Sequence, residues 1–177
     1  MFLIRTAGFL CCLLCLAACD RLPESYPPPE QRQPVAGLNP SPDAMMVSMD
    51  NPDAGLLIVK DIYPAGGNPW RWTLREPTVK VLVLATSNIK FSVDFTIWDE
   101  GFKSTGPVGI SFLVNGKLLD TLRYTTPGNK HFEKPVPADW LTVNSESTVA
   151  LLVDNLYIAP ADKAQFGVIL TRLGLKT

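Results

Sequence analysis

Trp70-Arg71-Trp72 is the densest concentration of binding chemistry in the chain. In an extended segment the two indoles share one face and Arg71 points to the other. Two coplanar indoles form a stacking platform for a sugar ring or a base, and an arginine beside them holds hydroxyls or a carboxylate. The same residues also suit packing, because Trp is largely buried on average and plugs the ends of β-sandwiches; this bias favours core or rim packing over a platform. Tyr63, just ahead of Gly66-Gly67, and Trp98 complete the aromatic candidates for ligand binding. Asp99 and Glu100 follow Trp98 and belong to the same candidate set. Adjacent side chains on a strand diverge, whereas a glycosidase needs two carboxyls facing each other at least about 5 Å apart. A solvated turn is therefore the expected place of this pair.

No catalytic constellation emerges elsewhere, and a non-enzymatic role is expected. His131 is the sole histidine, and no acidic neighbour in sequence recommends it as the base of a triad. The chain lacks Gly-x-Ser-x-Gly. Gly66-Gly67 leads into Asn-Pro and a strand rather than a helix, so it is not a phosphate-cradling loop. Asp50, Asn51 and Asp53 are oxygen-rich, as is the Asp99-Glu100 turn, but neither carries a calcium-loop signature. No cofactor and no metal are expected. The 16 basic and 17 acidic residues leave a net charge of −1 and are scattered without blocks. A nucleic-acid partner, which calls for a basic stripe, is excluded on that pattern.

Alternation dictates the elements that must hold these side chains. Ile89, Phe91, Val93, Phe95 and Ile97 recur at period two with polar residues between them, the mark of a half-buried strand. Val108, Ile110, Phe112 and Val114 repeat the pattern. Asn115-Gly116 and the run Lys117 to Tyr124 follow, which reads as a hairpin closed by a type I′ turn. Further strands are expected over Gly55 to Tyr63, Thr78 to Leu84, Ser147 to Asp154 and Gln165 to Leu173, with a short one over Arg71 to Leu74. Breaks fall at Pro64 to Pro69, Asp99-Glu100-Gly101, Pro127-Gly128-Asn129 and Ala159 to Asp162. No segment sustains a helical period, and one short helical turn is expected over Ala159 to Ala164. Seven to nine antiparallel strands across 54–177 read as an all-β, jelly-roll-like antiparallel sandwich.

The N-terminal third reads differently. Arg5 precedes an uncharged apolar run, Ala7 to Ala18, with small residues leading to Cys19, which is secretory signal architecture. The run is too short for a membrane span and ends in polar, Pro-rich sequence. Leu16-Ala17-Ala18-Cys19 resembles the lipobox of bacterial lipoproteins. That resemblance implies a signal peptide over 1–18 and a lipidated Cys19. Asp20 resembles a sorting signal for retention in the inner membrane. The other three cysteines, Cys11, Cys12 and Cys15, would leave with the signal. Pro23, Pro27, Pro28, Pro29, Pro34, Pro40, Pro42 and Pro52 then mark 19–53 as a stiff, disordered linker. Met45, Met46, Val47 and Met49 interrupt it and are slightly favoured to dock on the domain or a partner.

Ile62-Tyr63, the Gly-rich loop, Arg71-Trp72, Val114-Asn115-Gly116, Pro127-Gly128 and Leu170 to Leu175 are similar to small jelly-roll modules of bacterial cell-envelope and glycosyltransferase proteins, of carbohydrate-binding-module type. The resemblance implies a non-catalytic sandwich that binds glycan. The sequence therefore leads to a periplasm-facing lipoprotein whose partners are the membrane, through its lipid, and an envelope polysaccharide. The alternative is an assembly lipoprotein that docks a membrane protein complex. Metabolic labelling with a fatty acid analogue checks the anchor. The expected outcome is label on the wild-type protein, a mature N-terminus at Cys19, and neither in Cys19→Ser.

Overall fold

The computed structural model describes residues 45–177. The expected signal peptide, Cys19, Asp20 and the linker up to residue 44 lie outside the described residues. Eleven strands occur in the order β1 (Met46–Ser48), β2 (Ile58–Ile62), β3 (Arg71–Leu82), β4 (Lys90–Ile97), β5 (Val108–Val114), β6 (Lys117–Tyr124), β7 (Gly128–Pro135), β8 (Glu146–Val153), β9 (Tyr157–Ile158), β10 (Gln165–Phe166) and β11 (Ile169–Lys176). One helix, α1 (Asp99–Thr105), follows β4, and two 3-10 turns cover Pro52–Leu56 and Ala138–Trp140. Every strand pair is antiparallel.

The pairing path runs β6-β5-β8-β3-β11-β4-β7, with β1 added to β11 and β2 to β3. It folds into two layers because β3 changes partners along its length. Its first residues, Arg71 and Trp72, pair with β11, and Thr78 to Leu82 pair with β8. Inward side chains of the layers meet in one core. Phe91 on β4 and Phe132 on β7 both pack on Phe112 of β5, with centroids 5.6 Å and 3.6 Å away. A buried aromatic of this kind contributes about 3–5 kcal/mol by the usual truncation measure.

The alternating runs become β4, β5 and β6 where period two places them. Asn115 (φ 50°) and Gly116 (φ 74°) supply the positive φ pair that the β5–β6 turn requires. Eleven strands stand in place of the expected seven to nine, and six local expectations are corrected. Gln165 to Leu173 is not one strand but parts of two, β10 and β11, paired with β9 and with β4. Arg71 to Leu74 and Thr78 onward form the single strand β3, with Pro77 inside it at the change of partner, where no ladder hydrogen bond is needed from its nitrogen. Asp99-Glu100-Gly101 opens α1 instead of a turn; the helix is seven residues long, too short to show a period. Ala159 to Ala164 is the loop of the β9–β10 hairpin and not a helix, tied by Ala159 N–H to Ala164 O at 2.8 Å. Gly128 and Asn129 begin β7, an edge strand whose one buried residue, Phe132, leaves no alternation to read. The folded body also starts ahead of Ala54: β1 pairs with β11, and Met45, Val47 and Met49 are buried in the core. Apolar side chains at alternate positions outweigh the proline-rich flank there.

Gly174 makes that docking possible. Its Cα lies against the backbone of Met45 and Met46, and a Cβ would overlap the Met45 carbonyl oxygen. Gly174→Ala is expected to cost about 1–3 kcal/mol by pushing β1 off β11, read as a lowered thermal midpoint. Amide exchange should accelerate first at Leu175, whose N–H donates to Met45 O at 2.8 Å.

Candidate functional site

The sequence candidates gather at the end of the sandwich where β3 begins. A buried clasp positions them. Thr73 N–H and Oγ1 both donate to Val168 O, at 3.0 Å and 2.9 Å, and Val168 N–H donates back to Thr73 Oγ1 at 2.9 Å. Gly167 N–H donates to Thr73 O at 2.7 Å. These bonds lock the chain on either side of Trp72 and Phe166, whose centroids lie 5.0 Å apart. Tyr63 is set by its N–H to Trp72 O at 2.9 Å and its hydroxyl to Gln165 O at 3.1 Å, and it stacks on Phe166 at 5.7 Å.

The two indoles of the tripeptide are not coplanar. Trp70 and Trp72 meet edge to face at 85°, 6.0 Å apart, so the expected flat platform does not form. Trp72 also meets Trp98 edge to face at 5.6 Å, and Trp98 meets Tyr157 at 5.2 Å. Edge-to-face contact pairs a positive ring edge with a negative face, and interlocking rings take it in preference to parallel stacking. The crevice among Trp72, Trp98, Tyr157 and Phe166 encloses only about 10 Å³, too little for a ligand. Trp72 and Trp98 are therefore packing residues in a half-buried aromatic plug. Trp70 sits at its margin, half-buried, with Trp72 as its one aromatic partner among the described residues.

Arg71 turns away from the plug and is only 5% exposed. Its Nε donates to Met49 O at a long 3.4 Å. The arginine lines an open groove of about 400 Å³ together with Asp50, Asn51, Gly67, Asn68 and Pro69. Gly67 (φ 80°) holds the loop in a conformation other residues adopt at a cost. Asp99 and Glu100 lie apart from this groove in the first turn of α1, exposed, with Glu100 paired to Lys103 at 2.7 Å. The fold thus brings Tyr63, Trp70, Trp72 and Trp98 together, puts Arg71 beside them in its own groove, and leaves Asp99 and Glu100 on a solvated helix turn.

His131 has acidic neighbours that sequence order hides. The β4–β7 register sets it opposite Asp94, with Nδ1 2.6 Å from Asp94 Oδ1, and Nε2 lies 3.6 Å from Glu133 Oε2. Asp94 also takes Arg172 of β11 at 2.8 Å. Both ring nitrogens face carboxylates and neither faces a hydroxyl, so this is an ion lattice across β7, β4 and β11 and not a triad. Burial pushes the Asp94 carboxyl up, but hydrogen bonds from His131 and Arg172 outweigh it and hold the group below its ordinary range. Glu133 is drawn down to about 2, chiefly by hydrogen bonds from Lys176 and Lys90. Among the described residues no group of three or more His, Cys, Asp or Glu is placed to hold a metal ion.

Glu133 yields a pH dependence. Its folded pKa lies below its ordinary value of 4.5, so its contribution is present above about pH 4.5 and is lost as the pH falls toward about 2. Thermal midpoints of wild type and Glu133→Gln are expected to converge across that acid interval and to differ above it.

No protein-family model matches the chain, and no curated protein does. Some solved structures are similar to this chain at low identity. The CBM36-1 domain of a multidomain xylanase from the hindgut metagenome of Trinervitermes trinervoides is 11% identical with a TM-score of 0.44, covering 75% of this chain and 95% of that one. A family 35 carbohydrate binding module from an environmental isolate is 10% identical with a TM-score of 0.42, covering 75% and 92%. An acetyl xylan esterase from Butyrivibrio proteoclasticus is 13% identical with a TM-score of 0.41, covering 74% of this chain and 31% of that one.

Proposed function

We propose that this chain is a non-catalytic glycan-binding module, held at a bacterial membrane surface on the periplasmic side by lipid on Cys19. The observation that carries the binding reading is the junction of Trp70 and Arg71. A tryptophan at the edge of a rigid aromatic plug is followed directly by an arginine on the wall of a groove, about 400 Å³ in volume, which is within the range of small-ligand sites. Sugars present apolar C–H faces and hydroxyl edges together; the groove wall offers Arg71, Asp50, Asn51 and Asn68 to the hydroxyls and Pro52 and Pro69 to the apolar face, with Trp70 next to it in the chain but outside that wall. The rigidity of the plug keeps the ordering cost of binding low.

The anchor part rests on the Cys19 motif. A tethered binder works at raised effective concentration toward anything else on the same surface. A second reading, docking of a membrane protein complex, is favoured by one observation: Leu82, Leu118 and Leu152 stand exposed on β3, β6 and β8. Crosslinking in intact membranes separates the two, since a docking protein yields a defined heterologous product and a glycan binder does not.

A glycan array probed with the full-length chain tests the binding reading. Trp70→Ala is expected to weaken binding about tenfold while leaving the thermal midpoint near wild type. Trp72→Ala removes the centre of the plug and is expected to cost about 3 kcal/mol of stability. Binding to no envelope polysaccharide, or binding indifferent to Trp70, would overturn the reading.

A further inference from the structure

Arg71 is the one buried charged side chain among the described residues, and it lies on the wall of the groove. It is 95% covered, yet among the described residues its one hydrogen bond is the long Nε contact to Met49 O, and no carboxylate lies within 4.0 Å of it. Removing a guanidinium from water costs several kcal/mol unless hydrogen bonds or a counter-charge replace the hydration. Every other buried polar side chain of the core belongs to a small hydroxyl residue: Thr73, Thr78, Ser92 and Ser147. With Nε turned to Met49, the Nη1–Nη2 end of the fork is left for the groove, and that end matches an oxyanion bidentately.

The rest of the groove narrows the ligand. Asp50, the other charged residue on its wall, is exposed. A bare anion gains from Arg71 but is opposed by Asp50. A ligand that carries hydroxyl donors next to its anion satisfies both: the oxyanion on Arg71, and hydroxyls donated to the Asp50 carboxylate and the side chain of Asn68. We infer that the Arg71 groove binds the oxyanion substituent of an acidic sugar, a carboxylate or a phosphate ester, and that this substituent sets which glycans the module takes. The inference rests on the glycan reading above and adds the charge of the ligand to it.

The test titrates the full-length chain with four probes: a galacturonate oligomer, a mannose phosphate, a neutral galactose oligomer and inorganic phosphate. Side-chain Nε–Hε resonances of arginine report the site in the unaltered protein, and calorimetry reports affinity. The expected result is that one or both acidic sugars shift the Arg71 resonance and bind at least about tenfold tighter than the neutral oligomer and inorganic phosphate. The carboxylate and phosphate arms identify the substituent. Arg71→Gln is expected to reduce acidic binding to the neutral level, and Arg71→Lys to fall between, since an ammonium keeps the charge without the fork. The resonance titration keeps the test valid if these variants fold poorly. Equal affinity for neutral and acidic oligomers, with Trp70 still required, would overturn the charge inference and leave the glycan reading standing. Tight inorganic phosphate at Arg71 with no sugar preference would overturn the glycan reading. No response of Arg71 to any probe, with no binding measured, would overturn both.

Discussion

The change of partner in β3 is the constraint on which the rest of the molecule depends. A strand that pairs with β11 at one end and β8 at the other must cross from layer to layer, and its ladder is interrupted on the way. Several polar groups at the crossing are met by side chains. Asp61 accepts the Glu76 N–H at 2.8 Å, Thr78 Oγ1 donates to Glu76 O at 2.9 Å, and Arg75 donates to the carbonyls of Val153 and Asp154. Pro77 sits where an N–H would have no partner. The Thr73–Val168 clasp then fixes the other end. Without these bonds the crossing would leave unsatisfied backbone groups, each costing about 1–3 kcal/mol.

This crossing also explains why the candidate site lies where it does. Trp70, Arg71 and Trp72 enter β3 at the end held by the clasp, so their directions are inherited from a rigid backbone. Strand alternation sends Arg71 to the side opposite Trp72. One residue of register therefore separates an aromatic plug from a charged groove. The plug buries apolar area at the sandwich end; the groove has Arg71 on its wall.

The outer face of β11, β4 and β7 shows a different use of charge. Asp94, His131 and Arg172 stand directly opposite one another, and Glu133 bridges Lys90 and Lys176 one step along. Such exposed pairs are individually weak, about 0–1 kcal/mol, but they meet in a network with shared members. On β7 they also place charge on an edge strand, which discourages pairing with another chain.

The sequence by itself determined the class of fold and most of its strands, because period-two alternation over β4 and β5 and the Asn115-Gly116 turn are local facts that burial on one face enforces. It also singled out the Trp70–Trp72 segment and left its role open between packing and binding. What it lacked were features created between distant segments. β7 escaped notice because an edge strand buries too little to alternate, and α1 because seven residues make barely two turns; for β1 the sequence favoured docking of Met45 to Met49 without giving the strand, β11, that receives it. Trp72, which meets Trp70 at 85°, is also packed against Trp98 and Phe166, residues 26 and 94 positions beyond it. Asp94 and His131 are 37 residues apart and become neighbours only through the β4–β7 register. Composition and spacing carry the energetics of single elements; the angles, partners and burial of the site come from the register and crossing of strands, and tertiary structure alone sets those.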